Sequence, residues 1–200
     1  MFRKSLTMAL GLSLASATLF AADKYSFGGK DAAHAEIGFV VSHWMISKVR
    51  GNFDKFEGEI SYDEKKVENS KVSVTIDTTS IDTRNERRDG HLRSADFFEA
   101  EKYPTATFKS TKVEKSSDGK GLSITGDFTL KGVTKSIVLD AVITGKMIDD
   151  RDSSLIGFEA KTKIKRTDYG IAWNKVSKTG TAMLGDEVKI LLSGEATKNK

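Results

Sequence analysis

There is no cysteine among the 200 residues, so disulfides, thiolate nucleophiles and cysteine-ligated metals are excluded at the outset. The absence fits an exported protein held together by its own core. Charge of one sign is also lacking. Basic residues number 32 against 28 acidic ones, and setting aside Arg3 and Lys4 with an N-terminal leader leaves 30 against 28, a formal +2. That balance excludes the electrostatic footprint of a nucleic-acid binder. No apolar run reaches the roughly 20 residues of a membrane helix. The run from Leu6 to Phe20 is shorter and carries Ser13, Ser16 and Thr18. With Arg3 and Lys4 before it and Ala21 and Ala22 after it, residues 1–22 have the layout of a cleavable secretory signal. Residues 23–200 are then expected to form one globular domain, as 38% hydrophobic and 30% charged residues suit.

Histidine is scarce as well, with three in the chain. His34 and His43 are nine positions apart, so on one continuous strand they face opposite sides. His91 stands in a helical stretch without a paired-histidine motif. No metal site and no cofactor are expected. His43 is read either as a buried, hydrogen-bonded residue or as a polar handle for a ligand head group.

What the chain has in quantity is alternation. Ala35, Ile37, Phe39, Val41, His43 and Met45 share one face of a strand; Phe56, Gly58, Ile60 and Tyr62 follow, then Val72, Val74 and Ile76. Later runs centre on Phe108; on Leu122, Ile124, Gly126, Phe128 and Leu130; on Ile137, Leu139, Ala141 and Ile143; on Ile156, Phe158, Ala160, Thr162 and Ile164; and on Val188, Ile190, Leu192, Gly194 and Ala196. Asp118-Gly119 marks one hairpin turn and Gly132 another. Eight amphipathic strands with short connections predict an all-β, antiparallel eight-stranded barrel, because closure removes every bare edge. A two-sheet sandwich is the competitor, and runs of about ten residues favour the barrel.

Two stretches break the alternation. Between the third and fourth strands, Thr83 and Glu86 have capping-box spacing, so a helix should start near Arg84. Gly90 weakens it, Ser94 can cap a second turn, and Pro104, the only proline, forces Tyr103 into extended geometry. The other stretch, Thr167 to Gly185, has the length of a lid or binding loop.

Inward rows place small residues (Gly58, Gly126, Ala141, Ala160, Gly194) between large ones. They read equally as gaps that leave an apolar channel or as bends in a packed barrel. A channel of this lining would hold a long apolar chain through about 0.8 kcal/mol per buried CH2 group, whereas a polar metabolite would lose its hydrogen bonds on entry. Asp89, His91 and Ser94 could be drawn as a hydrolase relay, but no nucleophile elbow surrounds the serine. Arg87, Arg88 and Arg93 are read as a solvated helix face, or as partners for an anionic head group.

The segments DAAHAEIGFVVSHWMISKVRGNF, ERRDGHLRSADFFEAEKYPTATFKST, ITGDFTLKGVTKSIVLD and KIKRTDYGIAW, in this order, closely resemble the YceI-like family of secreted bacterial proteins. Phe128 departs mildly, where GDLT is usual. The resemblance implies a lipocalin-like barrel, a periplasmic location and a non-catalytic binder or carrier of polyisoprenoids, isoprenoid quinones or their precursors, or fatty-acid derivatives. It shifts the balance towards an open lumen. Inward parity then nominates Phe39, Val41, His43, Phe56, Ile60, Val74, Ile76, Phe108, Ile124, Phe128, Leu139, Phe158 and Ile164 as ligand contacts, with Phe98 and Trp173 as lids. The alternatives are an enzyme acting on such an isoprenoid, and a packed barrel working through protein contacts in envelope stress. Family members can pair into homodimers, although no stripe in this sequence marks an interface.

Overall fold

The computed structural model describes residues 22–199, the side chains of 30–32 excepted. The expected leader, residues 1–22, lies outside the described residues apart from its last position. Alternation becomes eleven strands: β1 (Asp23–Gly28), β2 (Ala35–His43), β3 (Ser47–Phe53), β4 (Phe56–Tyr62), β5 (Lys71–Asp77), β6 (Ile81–Asp82), β7 (Thr105–Lys115), β8 (Leu122–Leu130), β9 (Val133–Ile148), β10 (Ser154–Lys165) and β11 (Leu184–Lys198). One helix, α1 (Glu86–Arg93), stands between β6 and β7.

The strands close an antiparallel ring of eight: β1, β4, β5, β7, β8, β9, β10, β11 and back to β1. β1 was not anticipated from the sequence, because it is short and followed at once by the 3-10 turn Gly29–His34. β2 nevertheless continues it. Tyr25 and Ser26 of β1 pair with Lys198 and Thr197 of β11, and Ala35 to His43 of β2 take the next length of the same edge, from Gly194 to Leu184. β3 likewise runs on into β4, pairing with β2 while β4 pairs with β1. β5 pairs with β4, and β6 with β3. The barrel therefore has eight wall positions, three of them bent strands that leave the cylinder in its upper half. There β6 is an edge, since it pairs with β3 and not with β7.

This break in the wall is where the helical insert sits. Its N-terminus departs from the expected capping box: Asn85 is the cap, and its side chain accepts from the Arg88 amide at 3.0 Å. Thr83 instead gives its amide and hydroxyl to Asp89, while the Arg88 side chain donates to the Thr83 hydroxyl and carbonyl at 2.6 and 2.7 Å. Ser94 ends α1, its hydroxyl donating to the His91 carbonyl at 2.8 Å. The chain then turns back to the sheet. The Thr78 amide and hydroxyl donate to the carbonyls of Pro104 and Tyr103, and β7 starts at Thr105, directly after the proline.

The lower half of the barrel is filled. Phe27 packs at a tilt against Phe158, ring centres 4.7 Å apart, and lies 6.3 Å from Phe56, among buried Val74, Phe108, Val113, Ile124, Leu139 and Ile156. The strand glycines do not open space here. A Cβ on Gly58 would lie 2.0 Å from the Phe27 ring, and one on Gly126 would lie 2.4 Å from the Phe108 ring. Both positions are small because an aromatic ring occupies the room a side chain would take.

Candidate ligand cavity

The upper half holds a cavity of about 510 Å3. Its walls come from β2 and β3 on one side, from β8, β10 and β11 on the other, and from α1, Phe97, Phe98 and the 166–184 segment above. Nineteen of the 26 lining residues are aliphatic or aromatic, and the polar ones are His43, Asn85, Arg87, Arg88, His91 and Arg166. Among the described residues the wall carries no carboxylate.

Of the nominated contacts, Phe39, Val41, His43, Ile76, Phe98, Phe128, Ile164 and Trp173 line this cavity. Ile60, Val74, Ile124, Leu139 and Phe158 instead border a lower pocket of about 50 Å3. Phe56 and Phe108 border neither, being packed against Phe27 and over Gly126. The separation follows from the fold, because inward parity places a side chain inside the barrel without telling the filled half from the hollow one. Ile37, Val49, Phe53, Leu92, Phe97, Ala106, Leu130, Ile171, Met183, Leu184, Val188 and Ile190 also line the cavity without having been nominated. Phe53 and Val49 belong to β3, where they alternate with Lys48, Arg50 and Asn52 and only Gly51 thins the apolar row between them.

An aromatic cluster roofs the site. The His91 ring meets Phe97 and Trp173 edge-on, each at 5.0 Å, and those two rings are 5.2 Å apart. Phe98 meets Phe53 edge-on at 5.8 Å. Tyr103, two residues before β7, packs over Gly132.

Arg166 fixes the second half of the roof. It is buried, and its guanidinium donates to the carbonyls of Ile171 at 2.7 Å, Trp173 at 2.8 Å and Gly185 at 3.0 Å. Burial lowers its pKa, and nearby Asp186 partly offsets this. The long loop is thereby a built structure rather than a bare connector. Tyr169, only 2% exposed, packs edge-on to Phe128 at 5.5 Å. Burial first, and Asp168 second, push its phenol up to about 12.

The residues of the hydrolase sketch do not meet as a relay. Asp89 is held by Thr83, the Ser94 hydroxyl by the His91 backbone, and the His91 ring by Asp96 at 2.8 Å. His43 faces the cavity beside the Trp44 ring, and its imidazole makes no hydrogen bond among the described residues. No group of three or more histidine, aspartate or glutamate residues is placed to hold a metal ion among the described residues.

A closed eight-stranded antiparallel barrel with an apolar cavity under a helical roof defines the class as a lipocalin-like β-barrel protein. Residues 30–196 match the YceI-like domain, so the chain belongs to the YceI-like family. It is similar to the protein YceI of Escherichia coli O157:H7, 44% identical over 171 residues that cover 86% of this chain and 85% of that one. Its fold is similar to the crystal structure of a Campylobacter jejuni YCEI protein, with a TM-score of 0.68, 38% identity and coverage of 80% and 90% of the two chains. A polyisoprenoid-binding domain from Saccharophagus degradans shares the fold at a TM-score of 0.62 and 17% identity, over 89% of this chain and 99% of that one.

Proposed function

We propose that the protein is a non-catalytic binder or carrier that encloses one long apolar chain, a polyisoprenoid, prenyl quinone or fatty-acid derivative, in the upper cavity. The observation that carries this is the cavity itself, about 510 Å3 and walled almost entirely by hydrocarbon. Such a space suits a ligand whose affinity comes from burying its own apolar surface, at about 0.8 kcal/mol per CH2 group. Four of the six polar side chains, Asn85, Arg87, Arg88 and His91, come from α1 and its cap, where a head group would sit while its chain runs down past Phe39, Ile76, Phe128 and Ile164. Phe56 and Phe108, though nominated from inward parity, then serve as packing in the filled half and not as ligand contacts. The polyisoprenoid-binding domain of the same fold supports this choice of ligand class. An exported, periplasmic carrier is the reading consistent with the leader-like N-terminus. Native mass spectrometry of protein purified from its own host tests the proposal. A bound mass that extraction identifies as a prenyl or long acyl compound is expected; a lumen that stays empty and takes up neither prenyl quinones nor fatty amides would falsify it.

A further inference from the structure

The β2–β3 hairpin does not end in ordinary turn residues. Its tip is Trp44, Met45 and Ile46, with Met45 65% and Ile46 88% exposed. Trp44 and Met45 have φ of 50° and 60°, a left-handed conformation that glycine and asparagine normally occupy. Bulky apolar side chains on a strained, solvent-facing turn oppose both solubility and local stability, so a use for them at the surface is the economical explanation.

A second apolar tip lies alongside. The Trp44 amide donates to the Met183 carbonyl and the Met183 amide to the Lys175 carbonyl, both at 2.7 Å. Val176, 66% exposed, pairs with Ala182 in the next rung. The two loops thus form one continuous edge that adjoins the cavity, since His43 and Met183 line the cavity itself. The charge of this edge has a single sign. Residues 44–52 and 170–183 carry Lys48, Arg50, Lys175 and Lys178, all exposed, and no aspartate or glutamate.

We propose that this edge is a membrane-docking surface: Met45, Ile46 and Val176 enter the interface of an anionic lipid bilayer, Trp44 sits at head-group level, and the four cations pair with lipid phosphates. The chemistry of each part matches a bilayer surface rather than a folded partner. Tryptophan favours the membrane interface, apolar tips gain by immersion, and basic residues are drawn to anionic head groups. Docking here would set the His43 and Met183 side of the cavity towards the membrane, which goes beyond the carrier reading and can fail independently of it.

The test is co-sedimentation of exported protein, its N-terminus verified by mass, with vesicles of phosphatidylcholine plus phosphatidylglycerol and with vesicles of phosphatidylcholine alone. Tryptophan quenching by brominated lipid reports insertion. Binding to the anionic vesicles that weakens with added salt is expected. Met45→Ser with Ile46→Ser should lower partitioning at least about tenfold, and each of Lys48→Gln, Lys175→Gln and Lys178→Gln about fivefold. Thermal melts of these surface variants should match the wild type. Absence of anionic-vesicle binding, or equal binding by the double serine variant, would overturn the proposal. So would a dimer in sedimentation that Ile46→Ser dissolves while vesicles stay unbound, since the patch would then join two copies. In every case ligand retention in the cavity is scored separately by native mass spectrometry.

Discussion

Tyr169 and Arg166 show how single side chains hold the cavity roof. With its phenol pushed up to about 12, Tyr169 stays neutral in the folded chain at pH values where an unfolded tyrosine, near 10, ionises. The unfolded state then binds fewer protons than the folded one, so the contribution is whole below pH 10 and is lost as pH rises towards 12. Urea midpoints should fall across that window, and Tyr169→Phe should flatten the fall. Arg166→Met would leave three carbonyls of the 171–185 segment without their donor. A loss of about 3 kcal/mol is expected, measurable by denaturant unfolding, together with faster amide exchange at Trp173. The sequence offered Arg166 only within KIKRTDYGIAW; its partners lie up to 19 positions away, and no local pattern reports such a bond.

At the scale of elements, the position and inward face of most strands were legible because alternation and strand geometry share a period of two. β2, β4, β5, β7, β8, β9, β10 and β11 all fall where that period runs, and the turn at Asp118-Gly119 forms with Gly119 at φ 69°. β1, β3 and β6 were not legible. β6 has two residues, too few for any period, and β3 offers only Val49 and Phe53 as large apolar residues on its inner face, with Gly51 between them. The inner face of β4 shows what an apparently empty position does. Gly58→Ala would drive a Cβ to 2.0 Å from the Phe27 ring, and overpacking of this kind costs about 2 kcal/mol. Adding Phe27→Leu should recover part of that loss, so the two changes should be non-additive in unfolding free energy.

For the whole molecule, the division into a filled lower half and a hollow upper half decides what the protein can hold. Val188→Trp places a large ring in the upper cavity without touching the Phe27–Phe158 packing below. Near-wild-type stability with at least about tenfold weaker uptake of a prenyl quinone is expected. The check is the thermal shift on adding ligand, which should be present in the wild type and absent in the variant.

By itself the sequence determined an all-β barrel of eight wall positions, a helical insert between β5 and β7, and an interior of hydrocarbon, because each of these depends on the period or spacing of neighbouring residues. Only the tertiary structure decided where the barrel is hollow. That depends on β6 failing to pair with β7, on Phe27 and Phe108 filling the places left by Gly58 and Gly126, and on Arg166 tying the roof from across the chain. Packing brings together residues far apart in the chain, and a space between them belongs to no single segment from which it could have been read.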